Sequence, residues 1–538
     1  MRLRAAQRDF VAAVSLANVC FISSWRALLY PRYSGYHLEE LPGRIQHASV
    51  ILCVLSFAVL LWWGMTLARR STRARAVRLA RVAFVLLAFV ALNGIRMQFE
   101  ALTLRGVTDR MDKLVFWASL AGAILAGVGV FAWRPRLLVF GSLRAVMILS
   151  AFVPVTFSQA TWALVSGDRE RTTSWVRPTP AGQPLERPAR RAVWIIFDEL
   201  DFMAAFGMER VPVELPELRR LRDESFFALD ARPPADTTLK SIPSLLTGRL
   251  VSEARAASYK ELSITFAAGG GEVRWSEQAN IFTKVREMGG ATAAVGWYHP
   301  YCRVLGDSLD LCTRDLIPAG VGARELSFGE LMVKHARSLW GIVPLAQRLN
   351  DRIQGGNYAQ SEIRREHASV YARVSAAAAN AAADRRLSLT LLHFPVPHDP
   401  PIYDRLTRGF TYATPTNYFD NLALADSTLG ELRRLMERAG LWDETIVLVS
   451  SDHWWRVEMW REGLFWTGEE QALTTGHTDR RVPFILKLGG RNTHLGYEPA
   501  FNTVLSQDLL LALLRGEMST PSEVAEWIDS RRQKATRH

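Results

Sequence analysis

Five stretches of the chain are apolar almost throughout, at about residues 10–30, 47–68, 79–98, 114–133 and 137–165. Each approaches the ~20 residues that a helix needs to cross a bilayer, and no later part of the chain has runs of that length. The pattern changes after GDRERTTSWVRPTPAGQPLERPARR (167–191), a polar, proline-rich stretch that reads as a linker. Beyond it, short apolar runs alternate with helix-compatible segments. AVWIIF before Asp198, LSLTLLHF (387–394), TIVLVS (445–450) and VPFILKL (482–488) lack polar alternation, as expected of parallel strands buried on both faces. ASVYARVSAAAANAAADRR and TLGELRRLMERAGL read as helices between them. The pattern predicts a five-helix transmembrane domain (1–166), a linker (167–191) and an α/β domain (192–538) with a mainly parallel sheet.

The chain carries 65 basic and 53 acidic residues, a balance that by itself would fit a nucleic-acid binder. Residues 1–166 hold 19 basic against 6 acidic residues, so the excess of 13 there leaves the remainder at about −1. The positive charge belongs to the apolar half, where Lys and Arg set orientation, and no nucleic-acid partner is expected. Arg2, Arg4 and Arg8, the six arginines of RRSTRARAVRLAR (69–81), and Arg134 and Arg136 would lie in the cytoplasm. Five crossings then put the carboxyl domain on the periplasmic or extracellular side of a bacterial-type inner membrane. The first span is not followed by a small-residue cleavage site and reads as an anchor. Arg26 and Arg144, in or near spans, either snorkel to the headgroups or bind an anionic lipid phosphate. Of the four cysteines, Cys20 and Cys53 fall in spans, while Cys302 and Cys312, ten apart in the polar half, suit a disulfide in an oxidising compartment.

In open α/β sheets ligands bind beyond the carboxyl ends of the strands. Asp198 and Glu199 follow one apolar run, Asp452 and His453 another, and His393 and His398 come at the end of a third. Carboxylate and imidazole groups meeting on one rim suit a divalent ion such as zinc or manganese. An ion beside a Thr or Ser hydroxyl would lower its pKa and ready it for attack on phosphorus or sulfur. TTLKSIPSLLTG (237–248) offers that hydroxyl.

The order FDE, TLKSIPSLLTG, SDH and GHTDRRVPFIL resembles the sulfatase-like branch of the alkaline phosphatase superfamily. With five amino-terminal spans before an external domain, it is similar to the lipoteichoic acid synthases and lipid A phosphoethanolamine transferases. The motifs cover about 192–490. The resemblance implies Asp198 as a metal ligand with Glu199 as its rival, Asp452 and His453 as paired ligands, and Thr238 as nucleophile and ligand, with Thr237 as the alternative. It implies His398 and His477 as groups that contact the substrate phosphate or protonate the leaving group; Lys240, in the same stretch as the threonines, is a further candidate phosphate contact. Sulfatases convert a Cys or Ser to formylglycine; a Thr cannot yield that aldehyde, so phosphate chemistry is expected. No Asp-x-x-x-His pattern occurs near 393–403, which favours one ion over two.

Plainer roles stand beside these. Thr237 or Thr238 could cap a helix, and an Asp at a strand end often closes a turn. His398 could serve its Pro-flanked loop, and Lys240 could be solvated. HWWRVEMWREGLFW (453–466) carries Trp454, Trp455, Trp460 and Trp466, which could fill a core or, Trp454 above all, hold a lipid substrate. The expectation is a phosphotransferase that takes a phosphoethanolamine- or phosphoglycerol-type headgroup from a membrane phospholipid to an envelope glycan or lipid. A hydrolase using water and a catalytically inactive membrane scaffold are the alternatives.

Overall fold

The computed structural model describes residues 2–30, 36–37, 42–96, 98, 135–165, 175–176, 190–208, 212–315, 326–343, 358–412, 415–490 and 493–535. They form two compact units, and neither is continuous in sequence, unlike the division expected at 166–192. One comprises residues 1–32, 40–170 and 321–356; the other comprises 33–39, 171–320 and 357–538.

The first unit is helical: α1 (Arg2–Cys20), α2 (Ile22–Leu29), α3 (Arg44–Arg70), α4 (Ala74–Arg96), α5 (Pro135–Leu149) and α6 (Phe152–Val165). Among the described residues, Arg44–Arg70, Ala74–Arg96 and Val139–Val165 are long and apolar enough to cross a membrane. The pair Ala6–Cys20 and Ile22–Leu29, bent by 62°, makes a fourth candidate. The expected five spans are therefore three or four here, and the run at 114–133 lies outside the described residues. Small residues such as Ala88, Ala91 and Gly94 of α4 are buried, whereas Leu86 and Phe89 on the same helix are exposed, as on a helix whose outer face meets lipid. Arg26 donates from Nη1 to the Gln98 carbonyl and side chain, and Arg144 lies over the Phe140 ring.

The second unit is built on a nine-stranded sheet. Its strands are β1 (Trp175–Val176), β2 (Arg191–Phe197), β3 (Phe226–Ala228), β4 (Ala291–Trp297), β5 (Leu311–Asp315), β6 (Leu387–Phe394), β7 (Thr445–Ser450), β8 (Phe484–Lys487) and β9 (Leu495–Tyr497). They lie in the order β1-β5-β4-β6-β2-β7-β8-β3-β9. The five from β5 to β7 are parallel, so the mainly parallel sheet is observed. The expectation for VPFILKL is corrected: β8 runs antiparallel to β7. Its unbroken apolar run marks burial on both faces, which parallel and antiparallel central strands share, and carries no direction.

Alternate residues of the central strands enter two cores. Trp194, Ile196, Leu391 and Leu448 pack on one side with Ile242, Leu245 and Leu246 of α7 (Thr238–Thr247). Ile195, Phe197, Leu392 and Val449 pack on the other with Val374 of α8 (Tyr358–Ala382) and Leu422 and Leu429 of α9 (Tyr418–Arg438). Cys302 and Cys312 are joined by a disulfide, as expected.

α7 is stopped by Gly248, whose φ of 66° lies in the left-handed region where only glycine is unstrained. A Cβ there would also stand 2.5 Å from Gln507 Oε1, the oxygen that accepts from Lys284 Nζ. Gly248→Ala should cost about 1–2 kcal/mol and lower the apparent melting temperature of the full chain in detergent by a few degrees. An unchanged melting temperature would show that this helix end tolerates a side chain.

Candidate functional site

Register sets the site. β2 pairs with β6 at Ile196↔His393 and Phe197↔Phe394, and with β7 at Ile196↔Ser450, so the residues that follow these strands emerge together on one rim. The Asp198 N–H still donates to the Phe394 carbonyl at 3.1 Å, holding the first acidic residue in line with the sheet. Glu199 then turns the chain with a φ of 63°, uncommon for a residue with a side chain. That turn sends two neighbouring carboxylates in different directions.

Asp198, Asp452 and His453, all fully buried, present ligand atoms within 4.8 Å of one another. His453 Nε2 lies 3.6 Å from Asp198 Oδ1 and 3.4 Å from Asp452 Oδ2. Its other nitrogen, Nδ1, is 3.0 Å from the Trp454 carbonyl, which can only accept, so the ring proton sits on Nδ1 and Nε2 offers a lone pair. Three lone-pair-bearing atoms thus face one point. Asp198 Oδ1, Asp452 Oδ2 and His393 Nε2 have no hydrogen-bond partner there among the described residues. Burial, reinforced by the charges of Asp452 and Glu199, pushes the Asp198 carboxyl well above the usual carboxylate range. An O,O,N donor set with orphaned acceptors fits a divalent cation of the zinc or manganese kind.

Thr238 completes the group. It is the first helical residue of α7, 3% exposed, and its Oγ1 lies 3.4 Å from Asp198 Oδ2 and 3.2 Å from His453 Nε2. Thr237 takes the N-cap position with extended backbone, and its carbonyl receives the N–H groups of Lys240 and Ser241. Of the two threonines, the structure brings Thr238 to the acidic trio. Because α7 begins at Thr238, N–H groups of its first turn point out beside that hydroxyl, where the helix end favours negative charge.

The other expected residues separate. The Glu199 carboxylate accepts from Arg456 Nε at 2.8 Å and from Trp460 Nε1 at 2.8 and 3.0 Å, so it is spent on these donors, although Oε1 stays 3.9 Å from His453 Nδ1. His398 lies between the Trp297 and Trp460 rings. Its Nδ1, 2.6 Å from the Asp399 carbonyl, carries the proton, Nε2 keeps a lone pair, and burial lowers the pKa of the ring. His477 Nε2 lies 3.3 Å from Asp201 Oδ2. Burial works against charging that ring, but the Asp201 carboxylate outweighs it and the pKa rises. Lys240 is paired with Asp236 at 2.8 Å, and Trp454 lies under the Arg480 guanidinium. Trp455 is core, stacked on Tyr418 at 3.9 Å, and Trp466 donates to Gln471.

Four participants escaped the sequence reading: His299, Tyr301, Gly296 and Arg456. His299 follows β4 in WYHP, the same strand-end signal as the acidic motifs. Its Nε2 lies 3.0 Å from the Thr238 carbonyl, so Nδ1 accepts from the Tyr36 hydroxyl, and burial lowers the ring to about 3. Tyr301 holds His393 Nδ1 at 2.8 Å, and His393 Nε2 comes within 3.8 Å of Asp198. Gly296 makes room for both: a Cβ there would lie 2.9 Å from each side chain. Arg456, within the aromatic segment, neutralises Glu199.

The family model for sulfatases matches residues 190–503, more than half of the chain and all of the site. The chain belongs to the sulfatase family. Within that family the buried Asp198, Asp452 and His453 group is of the kind expected to hold a metal ion. No curated protein matches the chain in sequence. Similar solved structures include the lipoteichoic acid synthase LtaP from Listeria monocytogenes, with 12% identity over 64% of this chain and 76% of that one and a TM-score of 0.38. A phosphonate monoester hydrolase from Silicibacter pomeroyi has 16% identity over 60% and 73%, with a TM-score of 0.36. Murine ectonucleotide pyrophosphatase/phosphodiesterase 5 has 12% identity over 60% and 95%, also with a TM-score of 0.36.

Elemental analysis of the purified full chain separates the carboxylates. Asp198→Asn and Asp452→Asn should each weaken metal retention by about tenfold or more, whereas Glu199→Gln should retain the ion. Equal loss in Glu199→Gln would add Glu199 to the ligand set.

Proposed function

We propose that this sulfatase-family protein is a membrane phosphotransferase that uses Thr238 as its nucleophile. The donor is a membrane phospholipid carrying a phosphoethanolamine- or phosphoglycerol-type headgroup, and the acceptor is a hydroxyl of an envelope glycan or lipid. The observation that carries this reading is the Thr238 hydroxyl at 3.2 Å from His453 Nε2 and 3.4 Å from Asp198 Oδ2. A threonine there keeps an ordinary alcohol, which can form a phosphate ester and cannot become formylglycine. The apolar helices of the first unit support a substrate that diffuses in the bilayer. The same reading places the catalytic unit outside the cytoplasm, where the Cys302–Cys312 disulfide is stable.

Asp198, Asp452, His453 and Thr238 would hold one divalent ion. When bound, such an ion lowers the pKa of a neighbouring hydroxyl and offsets charge on a phosphate. Thr238 Oγ1 then forms a bond to phosphorus as the bond from phosphorus to the diacylglycerol oxygen breaks. His453 Nε2, oriented by its Nδ1–H on the Trp454 carbonyl, would give its one lone pair to the ion, and the Thr238 proton would pass to solvent. N–H groups at the start of α7 stabilise negative charge on the phosphoryl oxygens. The leaving oxygen takes a proton from His477, which Asp201 keeps charged to higher pH. In the second step the acceptor hydroxyl attacks phosphorus and releases Thr238. His398, with a lone pair on Nε2, accepts the proton of that hydroxyl.

Intact-mass measurement of the full chain with lipid donors tests the reading. The expected result is an adduct of phosphoethanolamine or phosphoglycerol mass that persists in Thr237→Ala, disappears in Thr238→Ala, and is discharged by an added acceptor. An adduct in Thr238→Ala would overturn the nucleophile, and discharge at the same rate in buffer alone would make the protein a hydrolase.

A further inference from the structure

The helix Phe328–Gly341 lies in sequence between β5 and β6 of the catalytic unit, yet it packs within the helical unit. Ser327 starts it as a capping box with Glu330. One stripe, Leu331, His335 and the following Ile342, is buried on the bundle. His335 is 3.1 Å from Ser24 through Nδ1 and 3.1 Å from Ser49 through Nε2, and the Ile342 carbonyl accepts from Asn93. These partners mark a depth. Ser49 lies near the start of α3 and Asn93 near the end of α4, so the helix is seated at the level where both spans end.

The faces turned away from the bundle are not those of a water-exposed helix. Trp340 is 67% exposed, Val333 50% and Phe328 42%, and Ala336 joins Val333 and Trp340 at helical spacing. The charged residues Glu330, Lys334 and Arg337 share one narrow strip. An apolar arc from the bundle contact round to Trp340, closed by a polar strip, is the pattern of a helix lying in an interface, and Trp is favoured at that depth. At the same ends of α3 and α4, Ile45, Leu52 and Leu92 are exposed as well.

We propose that Phe328–Gly341 is a membrane-surface element that lies in the bilayer–water interface, with Val333 and Trp340 among the lipid chains and Arg337 among the phosphates. Its ligand is the bilayer surface itself. Because the segment leaves and re-enters the catalytic chain between β5 and β6, it ties the interior of that domain's sequence to the membrane independently of the span ends.

The test uses the full chain in lipid nanodiscs. Cys20 and Cys53 are buried and Cys302–Cys312 is oxidised, so a bimane probe reports introduced cysteines at Val333→Cys, Arg337→Cys and Trp340→Cys. Nitroxide placed on the acyl chain near the headgroup should quench positions 333 and 340 roughly threefold or more over position 337, with iodide in water showing the opposite order. Equal iodide access at 340 and 337 would overturn the proposal. So would protection of 340 from both quenchers, the result expected if protein, and not lipid, covers this face.

Discussion

Two carboxylates buried beside one another, Asp198 and Asp452, are the constraint around which the second unit is organised. Leaving two such charges unpaired would cost several kcal/mol each, and one would take up a proton instead. The fold surrounds them with groups that suit a cation. His453 is held by the Trp454 carbonyl in the tautomer that offers a lone pair, and the Thr238 hydroxyl stands at the end of a helix. The parallel strands are what allow it: two neighbours ending in register, β2 and β7, deliver Asp198, Asp452 and His453 to one point without a long loop, and β6 brings His393 beside them.

The Glu199 turn shows how a third acid is kept out of that group. Its left-handed backbone turns the side chain to Arg456 and Trp460, while its N–H donates to Asp452 Oδ1 and its carbonyl accepts from Tyr418. One strained residue therefore orients a ligand candidate through its main chain and removes its own charge through a side-chain pair. The aromatic segment that follows SDH supplies both partners, so it belongs to the support of the site as well as to the core.

Much of the sheet was legible because buried parallel strands leave unbroken apolar runs, and the site was legible because its residues follow those runs at once. What escaped has physical reasons. The direction of β8 is set by where the chain returns, which an apolar run does not encode. His299 and Tyr301 act across space on Thr238 and His393 from a strand whose motif, WYHP, carries no charge to draw notice. The choice between Thr237 and Thr238 depended on a helix start that moves a hydroxyl from cap to first turn. The insertion of Phe328–Gly341 into the helical unit is invisible to a reading that treats domains as continuous segments.

The identity of the nucleophile atom decides more than the register. The formylglycine that the sulfatase resemblance implies is an aldehyde, which a threonine cannot yield. A threonine ester would have no hydroxyl on the same carbon to expel the group, so its phosphate would leave only by attack of another oxygen, from water or from an acceptor. In the proposed transfer, the burial of Thr238 at 3% exposure would limit water and the helix end would favour the anionic ester. On the proposed reading, with a first unit rich in apolar helices, a protected ester would suit transfer between membrane-bound partners, whose encounter within the bilayer plane is slow.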